Sequence, residues 1–580
     1  MKTKNLLYVA GLSVALTSCS DWLDVNETPN NATKENVSAE LLLTSVENDI
    51  AGDRAGYSAT TGSTISFYNW SQMFTKSGDY SGNYVYLNGN VVNGTFNPHW
   101  QYRYSRIAAI REIKDKAVTA DLKGLLGIAQ VLECIEFREL VDLFGDVPFS
   151  EGGLGADNLT PTYDKAEDIY KALCAQIIEA EQNIENGAMG NISNADIYFG
   201  GNKSQWLKYA KSIELTLLMR ISNVALFDQV NGKARLAAIV DGLIDTDATC
   251  NPGYYVGSGK MNPQMYLWGH TYTWNGSYAG KRTSNRSSFR SQYDPTEELV
   301  KFMRDTKNPL IRVYFDPREK NVDQPAYGKP SEFYGENYWY IGIPYGVQTP
   351  MQRAQVSLVG EGAYGDGSWD FETGASKDLV MYPVCIAKFY LAEAALRGLI
   401  AGGDDLARAY YEEGVKLMFE QHDLALHAAN PYNGALAPIP GTAGDGSAAK
   451  AAAEFLAQTE DYGFLVNWDL MTSNEQKLEA IMTQKWLGYY LIDPLEAWSE
   501  IRRTDYPSWL HSSWQWSLGE HKMPARVLYP ESEKKLNNVN FTANEKKDVM
   551  NDLIFWDTKN PERKQPGDYL NSAFANGYEK

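Results

Sequence analysis

Residues 129–144, AQVLECIEFRELVDLF, decide the fold. Val131, Leu132, Ile135, Leu140 and Phe144 recur at helical spacing, and Gly145 follows as a natural C′ residue. Pro148 lies just beyond, where a helix cannot continue. The same grammar recurs on both sides. Residues 102–116 carry apolar residues at helical spacing. Asp164 with Glu167 forms a capping-box pattern ahead of Ile169, Tyr170, Leu173 and Ile177. Gly200 and Gly201 precede a stripe of Trp206, Tyr209, Ile213, Leu217 and Ile221. Pro383 opens a helix over 384–396 that Gly398 ends, and another follows over 406–419. Ser473 with Gln476 is a second capping box, ahead of Leu478, Ile481, Lys485, Trp486 and Tyr489. A short helix over 495–501 follows Pro494.

These helices come in pairs joined by short turns. The spacing, with small residues such as Ala394, Ala395 and Ala409 near Tyr410, predicts a mainly α fold built on tetratricopeptide-like helix hairpins. A plain irregular helical domain is the alternative.

Between the helices lie long irregular stretches. Residues 57–100 and 251–369 are rich in Gly, Ser, Asn and aromatics, and loops of this length inside a compact domain usually carry function. Residues 435–446 read as a flexible Gly/Ala/Pro surface loop. Sugar faces pack on aromatic rings, while hydroxyls need amide, carboxylate or guanidinium partners. Three clusters supply both. The first is Phe67, Tyr68, Asn69, Trp70 and Gln72 with Asp79, Tyr80, Asn83 and Tyr84. The second is Trp268, His270, Tyr272, Trp274, Asn275 and Tyr278 with Arg282, Asn285 and Arg286. The third is Tyr338, Trp339 and Tyr340 with Arg353 and Trp369. The competing expectation for each ring is that it packs a loop onto the scaffold.

The chain has 580 residues, 44% hydrophobic and 22% charged, an ordinary globular balance. A net charge of -20 repels phosphate backbones and argues against a nucleic-acid partner. It also weighs against polyanionic ligands. Beyond Cys19, the four cysteines 134, 174, 250 and 385 form no CxxC pair; Cys134, Cys174 and Cys385 read as buried small hydrophobes. Lys2 and Lys4, the apolar run 6–16 and Leu16-Thr17-Ser18-Cys19 form a secretory signal ending in a lipobox. The run is too short to span a bilayer, which takes ~20 residues. Residues 1–18 are therefore expected to be a lipoprotein signal peptide. Cys19 is expected to be acylated, and 19–580 to form a single domain anchored to a membrane outside the cytoplasm. Ser20-Asp21-Trp22-Leu23-Asp24 resembles the surface-export signal of Bacteroidetes lipoproteins.

Catalytic signatures are missing: no HExxH, P-loop, GxSxG or dinucleotide fingerprint stands in its required context. Residues 362–367, GAYGDG, read as a loop. The six histidines show no metal-ligand spacing; His422 and His427 read as a solvated pair. No cofactor and no EF-hand calcium loop is indicated.

Several segments, taken in order, resemble the SusD/RagB family of surface lipoproteins over nearly the whole chain. They are the lipobox, Leu143-Phe144-Gly145-Asp146-Val147-Pro148-Phe149, and Pro161-Thr162-Tyr163-Asp164 leading to Ile169-Tyr170. Next come Trp206 to Arg220 and the AKFYLAEAALRG run of 387–398. Thr483-Gln484-Lys485-Trp486, Ala497-Trp498 and Arg502-Arg503-Thr504 follow, then MPARVLYP at 523–530 ahead of Glu533 and Asn537. Residues 72–86 look closest to the SusD-like subgroup. Most of these motif residues read as architecture: Asp146 to Pro148 as a turn, Arg502 and Arg503 as a buried network, Lys485 and Trp486 as helix packing.

The resemblance implies a SusD-like fold, with four tetratricopeptide-like hairpins as scaffold and long irregular loops as the binding face. It implies a lipid-anchored protein on the extracellular side of the outer membrane, partnered with a SusC-like TonB-dependent barrel. The expected function is non-enzymatic capture of oligosaccharide for import. The alternatives are a RagB-like peptide-capturing protein, a surface glycoside hydrolase, or a pure interaction scaffold. The family's ligand residues sit in variable loops. The expected contacts therefore rest on the clusters above: Tyr68, Trp70, Gln72, Asp79, Tyr80, Asn83, Trp268, Tyr272, Trp274, Arg282, Trp339 and Arg353.

Overall fold

The computed structural model describes residues 37–56, 61–78, 96–255, 261–268, 292–319, 338–345, 355–364, 371–428, 438–460, 462–510, 523–546 and 548–558. Cys19 and the signal segment lie outside them. Two helices, α1 (Ala39–Arg54) and α2 (Thr61–Trp70), precede the first hairpin, α3 (Asn97–Thr119) with α4 (Lys123–Phe144). The second pairs α5 (Ala166–Asn186) with α6 (Lys203–Arg220). After α7 (Glu297–Asp305) comes the third, α8 (Val384–Leu396) with α9 (Gly403–Gln421). Two short helices, α10 (Asp423–His427) and α11 (Ser447–Leu456), lead to the fourth, α12 (Asn474–Gly488) with α13 (Pro494–Thr504). The chain is mainly α, and among the described residues these four hairpins form the scaffold. One continuous apolar core runs from Ala39 to Trp556.

Local sequence explains the helices. In α5, Ile169, Tyr170, Leu173, Cys174, Ile177, Ala180 and Ile184 are buried at three- and four-residue intervals. It packs on α4 so closely that a Cβ on Gly127 would stand 2.7 Å from the Ala180 carbonyl oxygen and 2.9 Å from Ile184 N. Gly145, at φ 80°, ends α4 as expected. Two details of capping differ from the sequence reading. Lys165, not Asp164, sits at the N-cap of α5; the Asp164 carboxylate instead accepts from Phe149 N and Ser150 N at 2.8 and 2.9 Å. At α12, Ser473 Oγ caps Gln476 N at 3.2 Å, but the Gln476 side chain reaches Thr472 N, so the box is half formed.

Charged residues thread the core. Arg106 and Arg103 hold Asp53 at 3.0 and 3.1 Å, and Arg106 reaches Glu136 at 3.0 Å. Arg54 joins Glu139 at 3.0 Å and also Asp493. Arg138 meets Glu496 at 2.9 Å, and Arg220 bridges Glu496 and Glu500 at 2.6 Å each. Arg503 then spans Glu500 and Glu393, with Lys485 on Glu500. The network thus crosses α1, α3, α4, α6, α8, α12 and α13. Buried charges persist only when paired and hydrogen-bonded, which explains how α4 can bury Glu133, Glu136, Arg138, Glu139 and Asp142. Burial pushes the Glu139 carboxyl up, but Arg103, Arg54 and Arg138 outweigh it and hold it at about 2.

The motifs that carried the family resemblance converge here. Glu393 belongs to the 387–398 run, Lys485 to the Thr-Gln-Lys-Trp motif, and Arg220 ends the 206–220 segment. Arg502 donates to the Asp142 and Ala525 carbonyls at 2.8 Å each, with its guanidinium over the Trp498 ring. Val527 N bonds Leu143 O at 3.0 Å, so the 523–530 segment seals the end of α4. Tyr163 donates to Glu533 at 2.8 Å, and Asn537 to the Pro161 carbonyl at 2.8 Å. The four cysteines outside the signal are free and buried.

Candidate functional site

The stretches read as irregular hold short ladders and helices that build one backbone layer. β1 (Phe74–Lys76) pairs antiparallel with β3 (Tyr293–Pro295); β2 (Ala248–Cys250) pairs elsewhere with β8 (Leu379–Tyr382). β4 (Phe315–Asp316) pairs with β7 (Leu358–Val359), and β5 (Arg318–Glu319) with β6 (Tyr338–Trp339). The first and third pairs are stitched together. Ile343 N donates to Pro295 O at 3.0 Å, Glu297 N to Ile343 O at 2.9 Å, and Ser357 N to Ile341 O at 2.7 Å.

The start of α7 locks this layer. Thr296 caps α7 through Leu299 N at 3.3 Å and donates its hydroxyl to Gln72 O at 2.6 Å. Glu297 accepts from Gly342 N at 2.7 Å, and Glu298 from Tyr345 N at 3.2 Å. Burial raises the Glu298 carboxyl to about 8, against the pull of its own and the Tyr345 amides. These anchors escaped the sequence reading. The signal was present in Thr296-Glu297-Glu298-Leu299, an N-cap with an acidic first turn.

Long segments leave or rejoin the described structure at this layer. Segment 79–95 begins just past β1, where Ser77 N bonds Gln292 O at 2.8 Å, and Gln292 is where segment 269–291 returns. Segment 320–337 is spanned by the β5–β6 pair, and 346–354 starts beside Tyr345. Segment 511–522 follows Trp509, whose ring stacks on Phe302 of α7 at 5.4 Å.

The expected site residues divide between floor and segments. Trp70 is buried, 4.8 Å from the Trp498 ring and 5.8 Å from Phe67. Tyr68 is buried edge-on to Phe74 and Trp268, at 5.3 and 5.5 Å. Trp268 stacks on Phe74 at 4.6 Å, and Gln72 is buried with its carbonyl on Thr296. The structure thus places Tyr68, Trp70, Gln72 and Trp268 in the core beneath the layer, the three rings covered by other rings and Gln72 buried with its carbonyl held by Thr296. They follow the competing expectation, in which aromatics pack loop onto scaffold. Asp79, Tyr80, Asn83, Tyr272, Trp274, Arg282 and Arg353 lie outside the described residues. Trp339, in β6, pairs through its backbone with Arg318 of β5.

One constellation bears on the hydrolase alternative. Ser447 Oγ lies 2.6 Å from His427 Nε2, and His427 Nδ1 lies 3.1 Å from Asp423 Oδ1. The order nucleophile, base, orienter is that of a hydrolytic triad. Asp445 spoils it: its carboxylate also contacts Ser447 Oγ, and bonds from Ser447 and Thr442 keep it ionised. An anionic tetrahedral intermediate formed at that oxygen would be repelled. Gly444 N bonds Asp423 as well, so the group reads as a clasp closing the 441–447 turn onto α10. His422 and His427 are partly buried rather than a solvated pair, His422 against the Tyr314 ring at 5.4 Å. Among the described residues no cluster of His, Cys, Asp and Glu has the makings of a metal site, and no helix is long and apolar enough to cross a membrane.

Comparison with known proteins places this architecture. A SusD-like family profile, described as starch-binding associating with outer membrane, matches residues 29–530. Similar solved structures include a chitin-binding protein, at 21% identity and TM-score 0.65, covering 90% of this chain and 100% of its own. A SusD homologue from Bacteroides fragilis, at 21% identity and TM-score 0.63, covers the same shares. A chitin-binding SusD homologue from Flavobacterium johnsoniae, at 20% identity and TM-score 0.62, covers 90% of this chain and 99% of its own. Curated protein sequences return no match. With its fold shared along nine-tenths of its length and the profile matched from before α1 to the end of the 523–530 segment, the chain belongs to the SusD-like family of outer-membrane-associated, starch-binding proteins.

Proposed function

We propose that this protein captures an oligosaccharide at the cell surface and delivers it, chemically unchanged, to a SusC-like TonB-dependent barrel. In this reading residues 1–18 are removed and acylated Cys19 tethers residues 19–580, one folded unit, to the outer face of the outer membrane. The observation that carries the reading is the common origin of the long segments. Those rich in Tyr, Trp, Asn and Arg leave from or return to the single layer that α7 locks. Such a layer is a rigid base for several loops, the arrangement that lets loop residues bind. Ligand contact is assigned to Asp79, Tyr80, Asn83, Tyr272, Trp274, Arg282, Trp339 and Arg353. Stacking with amide and guanidinium hydrogen bonding suits neutral sugars.

Two of the similar structures are described as chitin-binding. Chitin fragments are therefore the first cargo to try, beside starch fragments. Calorimetric titration of the purified protein with both sets is the test. Saturable binding, weakened at least tenfold by Trp274→Ala or Arg353→Ala, is the expected result. Unchanged affinity in both variants would overturn the site assignment, and no glycan binding at all would overturn the function.

A further inference from the structure

A small cavity of about 20 Å³ lies where α1, α2, α3, α4 and the start of α13 meet. Asp53 and Arg54, Thr64 and Phe67, His99 and Arg103, Glu136 and Glu139, and Asp493 line it. Several polar atoms on these side chains have no hydrogen-bond partner among the described residues: both ring nitrogens of His99, Nε of Arg54, Nε of Arg103, and Oε1 of Glu136. His99 Nδ1 stands 3.9 Å from Asp53 Oδ1, too far for a hydrogen bond. Buried polar atoms are rarely left unpaired, so five of them on residues that line one cavity call for a hydrogen-bonding partner.

The chemistry of the wall selects that ligand. Two guanidinium N–H groups repel a cation. Four carboxylates, on Asp53, Glu136, Glu139 and Asp493, repel an anion. The space exceeds the roughly 10–15 Å³ that one water needs and leaves no room for an organic molecule. Burial pushes the imidazole of His99 down to about 4, so near neutral pH the ring offers one donor and one acceptor. Water can meet both kinds of group at once.

We propose that this cavity is a built hydration site holding one ordered water, which donates to Glu136 Oε1 and the unprotonated His99 nitrogen and accepts from Nε–H of Arg54 and Arg103. The water completes the ionic network at its most crowded point. It also sits under α2, which runs on to Gln72 and Met73, the residues whose carbonyls hold Thr296.

A crystal structure of the protein showing ordered solvent tests this directly. One water peak within hydrogen-bonding distance of His99 and Glu136 is expected. A dry cavity, a halide or metal peak, or a direct His99 bond to Glu136 would overturn it. Oxygen-17 magnetic relaxation dispersion counts long-lived internal waters independently. His99→Phe, which fills the space, should lose one such water against wild type, whereas an equal count in a folded variant would contradict the proposal. Should the variant fail to fold, the wild-type density decides alone.

Discussion

Arg503 grips Glu393 with both arms of its guanidinium, Nη1 on Oε1 at 2.7 Å and Nη2 on Oε2 at 2.6 Å, across 110 residues of sequence. Both side chains are buried, and the pair ties α8 to α13. A buried bidentate pair resists loss of either partner more than it adds net stability, because the survivor is left charged in the core.

Glu393→Gln should therefore lower unfolding stability by about 3–5 kcal/mol, read from urea midpoints. Burial pushes this carboxyl up, yet Arg503, Arg397 and Lys485 hold it at about 2, below the ordinary 4.5. The depressed value means a contribution that is complete above pH 4.5 and lost as pH falls toward 2. The variant should consequently show a shallower loss of stability over that acid range. An unaltered urea midpoint would contradict the role given to the pair.

Glu298 titrates with the opposite sign. Its folded value of about 8 lies above the ordinary 4.5, so the folded state keeps a proton that the unfolded state releases. Its share of stability is full below pH 4.5 and is lost as pH rises toward 8, with a slope of up to about 1.4 kcal/mol per pH unit. Glu298→Gln keeps an acceptor for Tyr345 N and cannot ionise. Melting curves should place it near wild type at pH 5 and above wild type at pH 8; a parallel shift at both would argue that burial leaves this carboxyl unperturbed.

Gly127 marks the closest approach of α4 and α5. A methyl group there meets the Ala180 carbonyl oxygen and Ile184 N as well as the Ile184 side chain, and the main-chain atoms cannot yield by a rotamer change. Gly127→Ala gains helix propensity of about 1 kcal/mol but forces two backbones apart. Overpacking of this kind costs about 1–3 kcal/mol, so a net loss is expected, and a stabilised variant would show that the helices slide apart freely.

Trp70 and Trp274 separate scaffold from site. Trp70→Ala empties a fully buried ring from the stack with Trp498 and should cost about 3–5 kcal/mol. Trp274→Ala should leave the melting temperature unchanged and weaken glycan binding. Reversal of the two phenotypes would exchange the roles assigned to these residues.

The hairpins were legible because their helices advertise themselves. Pro383 and Gly398 bracket α8 at its observed ends, and Gly145 and Pro148 mark the stop of α4. α2 was not legible. Its sequence, TGSTISFYNW, has low helix propensity, and Thr64 to Trp70 are buried on every side, which erases the polar stripe that periodicity needs. Tyr68, Trp70, Gln72 and Trp268, expected as ligand contacts, are buried, and the sequence hides this for a related reason. A tryptophan covered by Trp498 and one facing solvent look alike in a string of letters, since only the distant partner distinguishes them. The buried network expected of Arg502 and Arg503 is present, but of the two acids that hold Arg503 only Glu500, three residues earlier on the same helix, stands at a telling spacing, while Glu393 lies 110 residues away.

Capture of a glycan without cleavage is the central claim, and an oligosaccharide and peptide array probed with protein lacking residues through Cys19 tests it most directly. The account predicts binding to one related set of oligosaccharides, each recovered unchanged in composition after long incubation. Binding to peptides alone, or release of shorter products from the bound sugar, would contradict it.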